Sequence, residues 1–495
     1  MKKHVTNLLR SLVFLSILAF SLFVINRVLR PKYTLENSDW PTTSTYEQFY
    51  EMKENSIDVI FLGSSVMVNA VSPQEIYNTS GIRSYNLGSE QQSVFLSYYW
   101  LKEALRFQSP KVVVLDTRFV FELHPENPIN TRETLQRKCL DPMRWSEVKR
   151  EAVRDVCRID TTQSEMSYYL TNIRYHGRWT ELSEQDFIPE EYTAGELKGF
   201  SPLEEYGDDS YAAYVPGGGK DARDLQPVMR EYLDKTVDLC REKGITLILL
   251  SLPGNAMSDR ENNALTSYAE SRGVDYYNFC EKTLYDALGA ELPREKAVSH
   301  ANLWGAIRVS DYLGALLREK YKVQSLQDAQ YEETKDYYAQ VIKDCELAHI
   351  KDFNQYLKEL KDDRYTVFIA SLKDTSTCLT EEMKENLAAL GIKTDLTEKK
   401  QWSYAAVIDA ETGVTEIYDE KLPAVLSGSV RGKKTFYELT GTGYYAGTGN
   451  SLVIDGKEYS KNKTGLTFVV YDNVRRKVID RATFNTSTEK VSVSR

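Results

Sequence analysis

The hydrophobic positions of the chain first form one uninterrupted run, Ser11 to Asn26, with the sequence SLVFLSILAFSLFVIN. As a helix this run would extend about 24 Å at 1.5 Å per residue, which approaches the thickness of a bilayer core. The run continues into Asn26-Arg27-Val28-Leu29-Arg30 instead of ending in small residues. This pattern favours an uncleaved membrane anchor over residues 1–30, with a cleaved signal peptide as the alternative.

Beyond residue 46 the pattern changes to short apolar runs separated by helical periodicity. The runs 58–62 (DVIFL), 111–115 (KVVVL) and 246–252 (TLILLSL) are typical of buried parallel strands. Segments 94–107 and 228–243 have helical spacing. Strands that alternate with helices predict a parallel sheet covered on both faces. In such a sheet the functional groups collect at the carboxyl ends of the strands.

The rest of the chain divides into three further segments. Between 120 and 226 the periodicity weakens and polar loops with Pro and Gly predominate, which indicates a lid or substrate-shaping insertion. Residues 326–361 are charged and helical, as is typical of a connector. Residues 362–490 contain a strand-like run at 365–371, an amphipathic helix at 380–390 and short strands with Gly turns. The predicted organisation is an anchor (1–30), an α/β domain (47–322) with its insertion, a helical connector and a sheet-rich mixed α/β domain.

Composition and charge narrow the possible function classes. The chain has 495 residues, which is too long for one compact domain. Its net charge of −10 leaves no cationic stripe for phosphates, which argues against nucleic-acid binding. The six cysteines and five histidines are scattered, without a C-x-x-C motif or metal-ligand spacing. We therefore expect chemistry without a metal or other cofactor.

The candidate chemistry begins where the first predicted strand ends, at Gly63, Ser64 and Ser65. A serine at a strand-to-helix turn exposes its hydroxyl at the sheet edge, and its N–H is free to contact an oxyanion. A plain Gly-Ser turn has the same sequence. Two further segments, 85–89 (YNLGS) and 299–306 (SHANLWGA), provide the context.

Together these three segments resemble the SGNH/GDSL hydrolase family, in the membrane-anchored branch similar to the D-alanyl transfer protein of teichoic acid synthesis. The resemblance covers about residues 57–317 and implies a three-layer, flavodoxin-like α/β/α fold. It implies that Ser65 is the nucleophile and that His300 is first general base and then general acid. The N–H groups of Ser65 and Gly88 would form the oxyanion hole. Ser64 and Asn302 would be accessory residues, with Asn302 bracing its loop.

One position departs from the family pattern. Relatives carry Asp three residues before the histidine, where this chain has Ala297. Losing only the Asp of a triad costs roughly 10⁴ in rate, while losing the Ser or the His costs about 10⁶, so a Ser–His dyad would retain part of the advantage. Glu295, Ser299 or a backbone carbonyl would then orient the imidazole. The alternative is a degenerate pocket that only binds.

The segment 175–179 (YHGRW) resembles a Y-H-x-R-W element in the insertion of Gram-positive members of the same branch. His176, Arg178 and Trp179 would bind an anionic or sugar-bearing substrate, Arg178 through its forked donors and Trp179 by stacking. A packed anchor for the insertion is the alternative. Asp116, at the end of the run 111–115, is interpreted as a helix cap in preference to a pocket residue.

Three segments near the C-terminus carry a second resemblance: 365–374 (YTVFIASLKD), 403–409 (SYAAVID) and 449–456 (GNSLVIDG). They are similar to the ILEI domain, a PANDER-like module of secreted proteins. The resemblance implies a compact sheet-rich fold and a glycan ligand. A structural or dimerising module is the alternative.

Two functional hypotheses follow. The first is a serine esterase or O-acyltransferase that acts on acyl groups of cell-envelope glycans, anchored in the cell membrane with both domains outside the cytoplasm. That orientation is the usual one for a short basic N-terminus, which is retained inside. The second is a catalytically degenerate surface protein that binds envelope glycans or protein partners.

Overall fold

The computed structural model describes residues 2–34, 38, 40–182, 186–187, 196–206, 212–253, 257–289, 300–430, 432 and 435–495. The chain divides into two compact units, 1–338 and 339–495. The division falls inside the predicted connector 326–361. Phe353, Tyr356 and Leu357 of that segment are buried in the core of the second unit, so residues from 339 onward are part of a folded unit.

The predicted apolar N-terminal helix is present as α1, Lys2–Leu29. Its stretch His4–Leu29 is long and apolar enough to cross a membrane. Nearly all of its side chains from His4 onward are exposed. Such a surface is unfavourable in water, and a bilayer would remove it from water.

The first unit contains the predicted parallel sheet. Its strands are β1 Val59–Leu62, β2 Ser84–Asn86, β3 Val112–Asp116, β4 Thr246–Ser251 and β5 Asp275–Asn278. They pair in the order β2-β1-β3-β4-β5, and every pair is parallel. Successive side chains of a strand point to opposite faces. Ile60 and Leu62 accordingly pack in one apolar cluster, while Val59 and Phe61 pack in another, so both faces of the sheet are covered.

Helices connect and cover these strands. They are α2 Thr42–Tyr50, α3 Ser65–Ala70, α4 Pro73–Ser80, α5 Val94–Ala104, α6 Glu133–Leu140, α7 Glu147–Ile159, α8 Met166–Tyr169, α9 Asn172–Tyr175, α10 Pro227–Glu242, α11 Asp259–Arg272, α12 Lys282–Ala287, α13 Leu303–Glu319 and α14 Ala329–Glu332. The next helix, α15 Lys335–Leu347, begins in the first unit and has most of its residues in the second. The first half of the insertion 120–226 is helical, where polar loops were predicted. In α7, Ala152, Val153 and Val156 are buried along one stripe, and this stripe stabilises the helix by packing.

The second unit is built on two antiparallel sheets. The strands are β6 Tyr365–Leu372, β7 Ser403–Asp409, β8 Gly413–Asp419, β9 Ala424–Val430, β10 Thr435–Gly441, β11 Ser451–Ile454, β12 Lys457–Glu458, β13 Gly465–Asp472, β14 Lys477–Asn485 and β15 Ser492–Ser494. One sheet has the order β15-β14-β13-β6-β7-β8 and the other β12-β11-β10-β9.

Apolar clusters pack on both faces of the six-stranded sheet. One face packs against α16 Phe353–Glu359 and α17 Glu381–Ala389, and the other packs against the smaller sheet. The chain as a whole is therefore mixed α/β, as predicted, with one parallel sheet, antiparallel sheets and one N-terminal apolar helix.

Candidate active site

Ser65 is the first residue of α3, directly after the turn that ends β1. Gly63 in this turn has φ +156°, and a Cβ built there would lie 2.3 Å from Asp116 Cβ. Only glycine allows the two strand ends to approach this closely. Ser65 is 7% exposed, so it lies just under the surface at the carboxyl edge of the sheet.

The structure brings Ser65 and His300 together although they are 235 residues apart. The distance from Ser65 Oγ to His300 Nε2 is 2.8 Å. With a proton on Nδ1, Nε2 accepts from the serine hydroxyl, which is the arrangement that general-base activation of a nucleophile requires.

His300 is positioned by the start of α13, three residues later. Asn302 is the N-cap of that helix, and its Oδ1 accepts from the Gly305 N–H at 3.1 Å. Its Nδ2 donates to the Glu205 carbonyl at 3.0 Å. Through these two hydrogen bonds Asn302 braces the loop that precedes α13. Glu295 and Ser299, the side chains proposed to orient the imidazole, lie outside the described residues, as does Ala297 at the position where relatives carry Asp.

Asp116 holds the turn that carries the nucleophile. Its Oδ2 accepts from Ser64 Oγ at 2.6 Å and from the Ser64 N–H at 3.1 Å, and its Oδ1 accepts from the Arg118 N–H at 2.9 Å. Burial raises the pKa of this carboxyl above its ordinary value, and the hydrogen bonds from Ser64 and Arg118 oppose that rise. The interpretation of Asp116 as a helix cap missed this role. The available signal was an acidic residue at the carboxyl end of a strand predicted to neighbour β1.

The two predicted oxyanion-hole donors differ in the structure. Among the residues that the structure describes, the Ser65 N–H has no hydrogen-bond acceptor. The Gly88 N–H lies beside the turn but donates to Asn86 Oδ1 at 3.1 Å. Asn86 is fully buried, and its Nδ2 already donates to the Met67 and Val71 carbonyls, so its Oδ1 needs a donor as well. The prediction of a free Gly88 donor is therefore wrong for this conformation.

Trp40 forms an aromatic wall beside His300, with the ring centroids 6.0 Å apart. Its Nε1 donates to Asn69 Oδ1 at 3.0 Å. Lys138 Nζ lies 5.9 Å from the Trp40 ring and forms an ion pair with Glu90 at 2.9 Å. Trp40 lies between the predicted anchor (1–30) and the predicted α/β domain (47–322), so the sequence pattern did not indicate it as a site residue.

A cavity of about 190 Å³ lies at the carboxyl ends of β3 and β4. Arg118, Ser251 and Glu261 line it, together with Thr117, Phe121, Leu123, Met257 and Leu265. Glu261 is paired with Arg223 at 2.7 Å. Arg118 Nη1 is buried and has no hydrogen-bond partner within the described ranges. Burial lowers the pKa of this guanidinium, and the charge of Asp116 opposes that effect. Arg118 is thus a cationic side chain in the lining of this cavity.

The residues of the predicted Y-H-x-R-W element lie at the end of α1. Arg178 donates to the Leu29 carbonyl at 2.7 Å and to Asp186 Oδ1 at 3.1 Å. His176 Nδ1 lies 3.1 Å from the Ile173 carbonyl, and Trp179 is 70% exposed. The contacts of Arg178 favour the alternative of a packed anchor over substrate binding.

No group of three or more His, Cys, Asp or Glu side chains in the described part of the chain could hold a metal ion. The site as described consists of a serine, a histidine, one free backbone donor and a cationic cavity at the same edge of the sheet.

Comparison of the chain with protein-family models, with curated proteins and with solved structures gives no match.

Proposed function

We propose that the protein is a membrane-anchored, extracytoplasmic serine esterase or O-acyltransferase of the SGNH type that acts on acyl groups of cell-envelope glycans. The observation that carries the proposal is the 2.8 Å contact between Ser65 Oγ and His300 Nε2 at the carboxyl edge of a parallel sheet. The order of the three motifs and a flavodoxin-like strand order β2-β1-β3-β4-β5 support the same family.

The reaction would begin with attack of Ser65 Oγ on the ester carbonyl while His300 Nε2 takes the hydroxyl proton. The alkoxide of the substrate would leave as an alcohol, protonated by His300, and an acyl-Ser65 ester would remain. Water as the second nucleophile makes the enzyme an esterase, and a glycan hydroxyl makes it an acyltransferase. The Ser65 N–H would donate to the oxyanion.

The substrate would occupy the space between Trp40 and the cavity lined by Arg118. A sugar ring can stack on an exposed indole face, and a guanidinium binds carboxylate or phosphate through two parallel N–H donors. This combination supports a glycan that carries both an acyl group and a negative charge.

For the second unit we propose an ILEI-type module that binds glycan. Tyr444 and Tyr445 are exposed by 58% and 73%, with ring centroids 5.3 Å apart in the turn after β10. Adjacent exposed aromatic rings form a surface on which sugar rings can stack. The same surface supports the alternative function, a non-catalytic protein that binds envelope glycans.

A fluorophosphonate probe on the full-length protein in detergent tests the enzymatic proposal. We expect labelling that disappears in Ser65→Ala, falls at least about 100-fold in rate in His300→Ala, and is unchanged in Ser427→Ala, a matched change at an exposed serine of the second unit. Absence of labelling on folded wild-type protein would favour the binding function instead.

A further inference from the structure

The last turn of α1 is held against the first unit by cations on its carbonyl groups. Arg178 donates to the Leu29 carbonyl, and Lys32 Nζ donates to the Arg27 and Arg30 carbonyls at 3.2 and 3.3 Å. The Asn172 N–H also donates to the Asn26 side chain at 2.9 Å. Basic groups at a helix C-terminus satisfy its unpaired carbonyls and complement the helix dipole. These bonds fix the direction in which the helix leaves the unit.

Large apolar side chains are exposed around this junction. Ile173 lies on α9 and Trp179 on the turn His176–Thr180, and both of these elements contact α1. Phe187 is 63% exposed and follows Asp186, which is paired with both Arg178 and Lys32. Trp145 and Tyr169 add a stacked pair with their ring centroids 4.8 Å apart. We call this set, with Met166, the basal surface: Trp145, Met166, Tyr169, Ile173, Trp179 and Phe187.

The composition of the basal surface is that of a membrane interface. Trp and Tyr are enriched at the headgroup level of membrane proteins, and Lys and Arg near helix ends extend toward the same level. An exposed patch of this kind on a protein otherwise rich in charge requires a partner. The surface lies against the end of a helix that is itself long and apolar enough to cross a bilayer.

We propose that the basal surface rests on the lipid bilayer that α1 crosses. The partner is lipid because any group beside the last turn of a membrane-spanning helix is at headgroup depth, so contact with lipid follows from the bonds that fix α1. The six apolar side chains would enter the interface, and the first unit would sit on the membrane instead of moving freely on a tether.

Contacts lead from this junction to the dyad. Arg30, Tyr33 and Lys138 line one small cavity beside the end of α1. Lys138 Nζ lies 4.3 Å from the Tyr33 ring and 5.9 Å from the Trp40 ring, and the Trp40 ring lies 6.0 Å from His300. If the proposed function holds, the acyl group is transferred close to the membrane surface, and the substrate is a lipid-linked or membrane-apposed glycan. That consequence depends on the proposed function, whereas the lipid contact does not.

Tryptophan fluorescence of the full-length protein tests the lipid contact. The protein is reconstituted into liposomes of phosphatidylethanolamine and phosphatidylglycerol, with and without bromine on the acyl chains. The segment 1–39 contains no tryptophan, so quenching by brominated lipid reports on the folded units and not on α1. We expect clear quenching of the wild type, and loss of more than half of it in the double variant Trp145→Phe/Trp179→Phe.

Trp304→Phe is the matched control, because Trp304 is 8% exposed and lies on α13. This variant should keep the quenching. Equal quenching in the wild type and the double variant would overturn the proposal. Absence of quenching in the wild type would also overturn it. If light scattering then shows dimers, the basal surface contacts a second copy of the chain instead of lipid. Fluorophosphonate labelling is measured on the same samples, so failure of the lipid contact and failure of the proposed chemistry are distinguished.

Discussion

Asp116 accepts two hydrogen bonds from Ser64, one from the hydroxyl at 2.6 Å and one from the backbone N–H at 3.1 Å. Ser64 directly precedes the proposed nucleophile, so a carboxylate on β3 sets the conformation of the turn after β1. Asp116 thereby holds the turn that carries Ser65, whose Oγ lies 2.8 Å from His300 Nε2.

Replacing Asp116 should therefore damage both stability and labelling. Asp116→Ala leaves the buried Ser64 hydroxyl and N–H without an acceptor, which costs about 1–3 kcal/mol. Asp116→Asn keeps one acceptor oxygen and should lose less. We expect the labelling rate to be highest in the wild type, lower in Asp116→Asn and lowest in Asp116→Ala. The thermal midpoint should fall in the same order. An Ala variant with wild-type labelling would show that the turn is held by other contacts.

Trp40 should affect substrate recognition more than fold. Trp40→Phe keeps an aromatic ring beside His300 but loses the hydrogen bond to Asn69, while Trp40→Ala removes both. We expect kcat/KM for an acylated sugar ester to fall about tenfold in Trp40→Ala, which corresponds to about 1.4 kcal/mol, and less in Trp40→Phe. A small neutral ester that cannot stack provides the control, and an equal loss on both substrates would contradict a stacking role.

Arg118 should distinguish charged from neutral substrates. Its guanidinium lines the cavity at the ends of β3 and β4 without a hydrogen-bond partner for Nη1 among the described residues. Arg118→Met should raise KM for a carboxylate-bearing 4-nitrophenyl ester at least about tenfold and leave KM for 4-nitrophenyl acetate unchanged. Arg118→Lys keeps the charge but loses the two parallel N–H donors. Its KM for the carboxylate-bearing ester should lie between those of the wild type and Arg118→Met. If KM is the same for both esters in all three proteins, Arg118 has no role in recognition.

Glu75 should make the stability of the first unit depend on pH. Burial raises the pKa of its carboxyl from 4.5 to about 7. Between these values the folded state binds more protons than the unfolded state, so the free energy of unfolding falls as pH rises from about 4.5 to about 7. Glu75→Gln removes the titrating carboxyl and therefore this fall in the free energy of unfolding. The variant should match the wild type near pH 4.5 and exceed it above pH 7 by at most about 3 kcal/mol.

Denaturant unfolding at several pH values measures this difference. Glu54→Gln, at an exposed position, is the control and should show no such crossover. A Glu75→Gln curve parallel to that of the wild type over the whole range would contradict the assignment.

Tyr444 and Tyr445 test the role of the second unit. The double change to Ala removes two exposed rings and no buried contact of the core, so the free energy of unfolding should stay within about 0.5 kcal/mol of the wild-type value. We expect retention on purified cell-wall glycan to fall at least about tenfold, since stacked rings contribute of the order of 1 kcal/mol each. Labelling of Ser65 should be unaffected. Undiminished retention would show that Tyr444 and Tyr445 do not form the glycan contact.

Local pattern was enough to predict several of the elements, although not the helices in the first half of the insertion 120–226. Burial and periodicity are local properties of the chain, so they predicted the following elements correctly. These are the apolar N-terminal helix, the strands β1, β3, β4 and β6, and the helix α17. The pairing of Ser65 with His300 was expected from the resemblance of three sequence motifs to the SGNH family, and the structure places Ser65 Oγ 2.8 Å from His300 Nε2.

Tertiary structure alone decided which polar groups are occupied. The Gly88 N–H donates to Asn86, the Asp116 carboxylate accepts from Ser64, and Arg178 donates to the Leu29 carbonyl at the end of α1. Each of these bonds depends on how close folding brings its donor to its acceptor. The bonds of Asp116 and Arg178 join segments that are far apart in the sequence. No periodicity of hydrophobic positions encodes such distances, because a buried donor or acceptor binds whichever partner the packing of the core places beside it.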